Sequence, residues 1–247
     1  MTPRLLVSAL CLLPALLAEL SARASLIPTA IPGVTAKAFQ QGDSPDPNGD
    51  GGVNNVVNGD GLTVGNVADA ATWTHDVQWQ TGWQGNATFV VDSAGAGSAN
   101  TPGAWFIADL GASFLDLDKM YVWNVREGSV QDRGTKTVDL FYADLPTVNP
   151  TTGSAYDFAS GGWTSFLAGH DIPQNFTVGP DDAHDVIDLS AIPSARYIGI
   201  RILTNYNSNF RVGFSEIQFT TAVPEPATGA LLALGVVALT LRRRSRA

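Results

Sequence analysis

The chain has 247 residues, of which 14 are lysine or arginine and 23 are aspartate or glutamate, and its formal net charge is −9. This balance argues against nucleic acid as a partner, because an acidic surface repels the phosphate backbone. The single cysteine, Cys11, excludes a disulfide-stapled scaffold and a cysteine metal site.

The first 24 residues are typical of a secretory signal peptide. Arg4 provides a short positive region, residues 5–18 are apolar, and "ARA" at 22–24 fits a small-x-small cleavage pattern. The apolar run is too short to be a full membrane span. We therefore predict a signal helix at 1–24, export by the Sec secretion machinery, and a mature chain that begins near Ser25.

Residues 25–52 are rich in Pro, Gly, Ala and Asp and show little periodicity. They predict a loop-rich lead-in with one early strand near 36–40. Between residues 25 and 226 there are 8 basic and 22 acidic side chains, a balance near −14. Such a surface suits an extracellular protein or one that collects divalent cations, and the alternative is that it serves solubility alone.

From residue 53 to 220, short β-type runs alternate with clusters of Gly, Pro, Asn and Asp. Strict alternation of apolar and polar residues, as in "RYIGIRIL" at 196–203, marks half-buried antiparallel strands. A change of apolar parity within 210–219 predicts a β-bulge near residues 215–216. The predicted strands lie at 104–110, 119–125, 137–143, 162–167, 175–178, 185–189, 196–203 and 210–219. This pattern favours an all-β, antiparallel jelly-roll β-sandwich of about eight strands.

Five segments of this region follow the order seen in discoidin-type, galactose-binding-like domains. They are "AWFIADLG", "DKMYVWNV", "RGTKTVDLFYA", "ARYIGIRIL" and "VGFSEIQF". Residues 53–220 therefore resemble this family, which includes coagulation-factor C-terminal domains and many carbohydrate-binding modules. The resemblance implies an eight-stranded β-sandwich that binds polysaccharide or another envelope component.

The same resemblance implies a structural calcium ion where the first loop meets the last strand. The family has Asp-Gly-Asn-x-x-Thr there and a glutamate near the end of the domain, and this chain has "NGDGLT" at 58–63 and Glu216. Asn58, Asp60, Thr63 and Glu216 offer part of the roughly six to eight oxygen ligands that calcium takes. Asn58 replaces the family's first Asp, which lowers the ligand charge. The alternative is an ordinary turn that its own side chains cap.

The chemistry of catalysis is not evident in the chain. Its histidines, at positions 75, 170 and 184, lack the spacing of a metal site, and no G-x-S-x-G motif is present. We therefore predict a protein that is not an enzyme. The alternative is a secreted polysaccharide-acting hydrolase or lyase, because the spacing of carboxylates in space does not follow from sequence.

Three tryptophans lie within the eleven residues 73–83, "WTHDVQWQTGW", among amide and acidic side chains. A flat apolar ring beside polar groups suits a sugar, whose C–H face stacks on the ring while its hydroxyls form hydrogen bonds. The predicted ligand-binding residues are Trp73, His75, Trp79, Trp83 and Trp163. The alternative is that these rings fill the end of the sandwich beneath long loops.

The last 25 residues read "VPEPATGALLALGVVALTLRRRSRA". They resemble the PEP-CTERM sorting signal, in which Pro-Glu-Pro precedes a short apolar segment and a basic cluster. The residues that carry the resemblance are Val223, Pro224, Glu225, Pro226, Arg242, Arg243 and Arg244. Such signals occur on exported proteins of Gram-negative bacteria that make exopolysaccharide. The resemblance implies that an exosortase-type enzyme recognises and processes residues 221–247.

The apolar segment of this tail, 227–241, would be about 22 Å long as a helix. Its fifteen residues are fewer than the roughly 20 that a full membrane span requires. The arginines that follow should stay in the cytoplasm. We therefore predict that the chain resides transiently in the inner membrane through an apolar helix at 227–241. After cleavage near Pro226 it would reach the cell surface or the extracellular matrix.

Overall fold

The computed structural model describes residues 26–39, 52–65, 70–76, 81–86, 104–125, 131–147, 156–159, 161–176, 179–208 and 211–224. The chain divides into two compact units, of which the larger is Pro28–Thr221. The smaller is formed by Met1–Ile27 and Ala222–Ala247, and only 26–27 and 222–224 of it are described. The described residues contain twelve strands and two short 3-10 helices, Val53–Val56 and Ala70–Thr72.

The first five-stranded sheet carries the C-terminal strand near its centre. Its strands are β1 (Leu26–Ala30), β5 (Trp83–Asn86), β7 (Leu117–Asn124), β10 (Asp185–Asp188) and β12 (Arg211–Pro224). The order is β1-β12-β7-β10, and β5 also pairs with β12. Both β7 and β12 have paired strands on each side, and their side chains are buried along most of their length.

The second five-stranded sheet has the order β2-β6-β11-β8-β9. Its strands are β2 (Thr35–Ala38), β6 (Ala104–Phe114), β8 (Thr135–Ala143), β9 (Thr164–Asp171) and β11 (Ala195–Asn205). A small third sheet pairs β3 (Leu62–Thr63) with β4 (Thr74–His75). Every strand pair whose register the structure gives is antiparallel.

The core lies between the two large sheets. Phe106 of β6 packs against Trp83 of β5 and Phe214 of β12, and the ring centroids are 5.9 Å apart in both pairs. All three rings are fully buried. Contacts across the gap between two sheets define a β-sandwich. The prediction of an all-β antiparallel sandwich is therefore confirmed.

The alternation in "RYIGIRIL" gives β11 the two faces that the sequence predicts. Ile198, Ile200 and Ile202 of β11 point into the core and are at most 1% exposed. They lie opposite interior residues of β8, with Ile200 beside Leu140. The predicted β-bulge is also confirmed, because the pairing of β12 with β7 shifts between Phe214 and Glu216.

Two sequence predictions need correction. The early strand predicted near 36–40 is present as β2, but β1 also lies within 25–52, so the segment predicted as a loop-rich lead-in supplies one strand to each large sheet. The predicted strand at 175–178 is wrong for its described part, because Asn175 and Phe176 are not in a strand. Asn175 is buried and its side chain instead donates to the Asn124 carbonyl at 3.5 Å, an alternative to ladder pairing.

The predicted terminal helices, at 1–24 and 227–241, lie outside the described residues. Among the residues that the structure describes, no helix has the length and apolar character needed to cross a membrane.

Candidate functional site

The 58–63 loop meets Glu216 through the Gly59 amide. Glu216 lies in β12 just after the bulge and is fully buried. Its Oε1 accepts a hydrogen bond from the Gly59 amide at 3.1 Å and another from the Gln218 side chain. The last strand is therefore joined to the first loop through one carboxylate oxygen.

The second carboxylate oxygen of Glu216 has no hydrogen-bond partner among the described residues. Burial raises the pKa of Glu216 well above its usual value, and the hydrogen bonds from Gln218 and Gly59 only partly oppose this rise. A buried oxygen without a donor is costly. This oxygen is therefore the part of the cluster where a donor or a cation would be most stabilising.

His75 of β4 lies beside Glu216 and is 2% exposed. Its Nε2 is 3.0 Å from the Asp60 carbonyl oxygen and 3.9 Å from Glu216 Oε2, and its Nδ1 contacts the Asp76 carbonyl. Carbonyl oxygens only accept, so these contacts favour an imidazole that carries both protons. Burial acts in the opposite direction and lowers the pKa of His75.

The other predicted calcium ligands have side chains that face solvent. Asn58, Asp60 and Thr63 are all exposed. Asn58 Oδ1 accepts the Asp60 amide at 2.8 Å, which is the side-chain capping expected of an ordinary turn. Among the described residues, no three His, Cys or acidic side chains are grouped to hold a metal ion. Calcium at this place would therefore depend on the exposed side chains of Asn58, Asp60 and Thr63, and on carbonyl oxygens, besides Glu216.

We refer to Glu216, Gln218, His75 and the 58–63 loop as the Glu216 cluster. Trp73 lies close by and is 4% exposed, in a second buried group with Tyr121 and Trp123. Trp83 is fully buried in the main core. Neither ring presents a face to a sugar, so their burial agrees with the alternative in which tryptophans fill the sandwich. Trp79 lies outside the described residues.

Trp163 belongs to a different part of the molecule, on the outer face of the second sheet. Its Nε1 donates to the Tyr156 hydroxyl at 2.5 Å, and its ring packs edge-on against Phe158. Phe158 in turn stacks on Phe141 of β8, with ring centroids 4.6 Å apart. An added Cβ at Gly199 would lie 2.3 Å from Phe158, so glycine is needed for these rings to approach β11. The structure thus does not bring Trp163 together with Trp73 and Trp83.

The same outer face carries a cavity of about 290 Å³ at the edge strand β2. We call it the β2 pocket, and the residues that define it are Thr35, Lys37, Asn54, Ile107, Asp109 and Tyr197. Ile107 is buried beneath it, while Thr35 and Lys37 are exposed on the β2 side. A pocket with an apolar floor and polar walls is the usual form of a small-molecule site.

Asp109 organises one wall of the β2 pocket. Arg196 donates to its two oxygens at 2.8 and 3.0 Å, and the Gly111 amide donates at 2.9 Å. Tyr197 lies opposite Asp109 in the register and adds a hydrogen bond. Burial raises the pKa of Asp109, but the hydrogen bonds from Arg196 and Gly111 outweigh it, so the pKa lies below its usual value.

Among protein families, the PEP-CTERM protein-sorting motif matches residues 222–244. The chain carries a PEP-CTERM sorting motif. The motif implies export, sorting to the cell envelope of a Gram-negative bacterium, and an exosortase-type processing partner. Of the predicted sorting residues, Val223 and Pro224 lie at the end of β12, and Glu225, Pro226 and the three arginines lie outside the described residues. A search of curated proteins found no significant match.

The chain is similar to several solved structures. One is a family 89 glycoside hydrolase from Clostridium perfringens in complex with PUGNAc (16% identity, TM-score 0.38), where 78% of this chain and 15% of that chain are covered. The family 32 carbohydrate-binding module of C. perfringens NanJ in complex with galactose is 15% identical (TM-score 0.38, 78% and 99% covered). The F5/8 type C domain of a Bacteroides fragilis protein is 12% identical (TM-score 0.44, 79% and 97% covered).

Sequence reasoning missed the β2 pocket because its residues come from separate parts of the chain. Thr35 and Lys37 lie in the predicted lead-in, Asp109 lies in β6, and Tyr197 lies in β11. A signal was present in the alternation of β11, which places Tyr197 on the face opposite Ile198 and Ile200. Without the strand pairing, that face could not be matched with Asp109.

Proposed function

We propose that the protein is a cell-surface or extracellular-matrix protein that binds polysaccharide, or another envelope component, without catalysis. The sorting motif at 222–244 carries the proposal, because it directs the folded domain to the outside of the cell. The β2 pocket supports the binding function, since an aromatic residue and an apolar floor lie beside unused polar groups.

Affinity electrophoresis tests the binding function. The exported protein should migrate more slowly in gels that contain the exopolysaccharide of its host than in gels without polymer. Reducing ends or unsaturated products, released from the same polymer by the protein, would instead favour the alternative of a hydrolase or lyase. Unaltered migration in every polysaccharide gel would contradict the proposal.

For sorting, we propose that the chain passes through the Sec machinery, resides transiently in the inner membrane through 227–241, and is cleaved near Pro226. Mass spectrometry of the extracellular protein should find no peptide from 227–247. Glu225→Ala should leave the tail attached and the protein in the membrane fraction, whereas the matched change Thr228→Ala should not. A mature extracellular protein that retains 227–247 would overturn this route.

We also propose a structural calcium ion at the Glu216 cluster. The support is the buried Glu216 oxygen that lacks a donor and the tie between Glu216 and the Gly59 amide. Asn58, Asp60 and Thr63 would supply further oxygens, and the ion would fix the first loop against the last strand.

Melting curves with calcium and with EDTA test this ion. Removal of calcium should lower the melting midpoint of the wild type by at least about 2 °C, because an ion that binds only the folded chain stabilises it. Glu216→Gln should abolish that difference, and the matched change Asp109→Asn should preserve it. A wild-type midpoint that EDTA leaves unchanged would count against the site.

A further inference from the structure

From the geometry of the β2 pocket we infer that it binds one uronic-acid unit of an acidic polysaccharide, with Lys37 pairing to the sugar carboxylate. The inference rests on the proposed polysaccharide-binding function. It adds the chemical class of the ligand and the residue that selects it.

The strongest hydrogen-bond acceptor of the pocket, the Asp109 carboxylate, is already bonded to groups of the protein. The Asp109 carboxylate accepts from Arg196 twice, from the Gly111 amide and from the Tyr197 hydroxyl. These four donors occupy about as many acceptor positions as a carboxylate offers. Asp109 therefore holds Arg196 and Tyr197 in place and has little capacity left for a sugar hydroxyl.

The donors around the pocket remain open. In the part of the chain that the structure describes, the Lys37 ammonium has no ion-pair partner, and the Thr35 hydroxyl has no hydrogen-bond partner. Asn54 Oδ1 accepts the Ala36 amide at 2.8 Å, which turns the Asn54 NH₂ group away from the backbone. A pocket whose free groups are mostly donors fits a ligand rich in acceptors.

Charge selects a carboxylate among such ligands. Arg196 and Asp109 neutralise each other, so Lys37 leaves the pocket with one uncompensated positive charge on a chain whose formal net charge is −9. One ammonium matches the single charge of a uronate. Phosphate groups are more often held by a free guanidinium fork, and the fork of Arg196 is already bound to Asp109.

The size of the pocket suits one sugar unit. Its volume of about 290 Å³ lies near the lower end of the range for ligand sites, roughly 300–1,000 Å³. Ile107 forms a buried floor, and the Tyr197 ring is held by Arg196, whose guanidinium lies 5.0 Å from the ring centroid. The C–H groups of a sugar can cover this apolar surface while its carboxylate reaches Lys37.

The test measures binding of the full-length protein to polygalacturonate and to the same polymer after methyl esterification. The wild type should bind the free acid about tenfold more tightly than the ester, as expected for one charge-assisted contact. Lys37→Met should lower the affinity for the free acid by the same factor, and Lys37→Arg should retain most of the wild-type affinity. Lys136→Met removes an equal charge from an exposed position on β8 and should leave binding unchanged.

The outcomes separate this inference from the proposed function. Polygalacturonate binding that Lys37→Met leaves unchanged, or equal binding of acid and ester, would overturn the uronate site. Binding of neutral galactan alone would also overturn it, while the polysaccharide-binding function would stand. Equally tight binding of poly-glutamate would overturn the saccharide class. Melting curves should show that Lys37→Met and Lys136→Met are as stable as the wild type.

Discussion

In the Glu216 cluster a carboxylate lies beside a histidine, and in the β2 pocket a carboxylate lies beside an arginine, yet the pKa values of the two carboxylates shift in opposite directions. Glu216 is fully buried, its Oε2 is 3.9 Å from His75 Nε2, and burial raises its pKa. Asp109 is partly exposed, forms two hydrogen bonds with Arg196, and has a lowered pKa. Burial that neutral hydrogen-bond donors only partly offset destabilises the charged form of Glu216, whereas the guanidinium fork of Arg196 stabilises the charged form of Asp109.

The comparison teaches that a sequence motif and a binding surface need not coincide. The Glu216 cluster contains the recognisable loop pattern, but its His75 and Glu216 side chains are buried, and Glu216 joins the last strand to the loop. The β2 pocket has no motif, but it presents free donors beside an apolar floor. We therefore propose a structural role for the first region and a recognition role for the second.

The largest difference should appear between an aromatic residue of the core and one at the β2 pocket. Trp83→Ala, in the strand beside β12, should lower the free energy of unfolding by about 3–5 kcal/mol, because the ring fills the core. Tyr197→Phe at the pocket should cost less than about 1.5 kcal/mol, since it removes one hydrogen bond. Urea unfolding measures both. If Trp83→Ala does not fold, Trp83→Phe should fold with an intermediate loss. Equal losses at the two sites would contradict the division of roles.

The next largest difference should lie in the unfolding free energy lost when each carboxylate is replaced. Glu216→Ala leaves the Gly59 amide and the Gln218 side chain without their acceptor and should cost about 1–3 kcal/mol of unfolding free energy. Glu216→Gln keeps an acceptor oxygen and serves as the matched control. Asp109→Asn should cost less than about 1 kcal/mol, because the pair with Arg196 is partly exposed. A greater loss from Asp109→Asn than from Glu216→Ala would reverse the assignment.

The smallest effect should be the pH dependence that Asp109 adds. Its pKa is lower in the folded chain than the ordinary 3.8, so its contribution to stability is present above that value. The contribution should disappear as the pH falls below 3.8 and through the lowered pKa. Melting midpoints of the wild type and Asp109→Asn should therefore converge in this acidic range. A difference that stays constant with pH would show that the charge on Asp109 is not involved.

Much of the sandwich could be predicted because its strands are local patterns. The alternation in β11 and the parity change in β12 follow from which side chains must reach the core, and the structure has the same faces and the same bulge. A strand near 36–40 was predicted and is present as β2, but β1 was missed, since Pro, Gly and Ala give little periodicity. Both strands form because neighbouring strands offer backbone partners, as β6 does for β2.

The candidate sites divide in the same way. The loop pattern at 58–63 predicted a meeting with Glu216, and the Gly59 amide does bond to it. The tryptophan segment predicted a sugar-binding surface, but Trp73 and Trp83 are buried. The spacing of tryptophans along a chain does not indicate which rings the core will enclose. His75 lies against Asp181 by backbone pairing, a contact between residues 106 positions apart.

By itself the sequence determined the class of the fold, the faces of its clearest strands and the sorting motif, because each depends on residues that are near one another in the chain. The tertiary structure decided which tryptophans are buried, which oxygen of Glu216 lacks a donor, and that Lys37, Asp109 and Tyr197 share one pocket. Those features depend on strand register, which places side chains from distant segments within a few ångströms of each other.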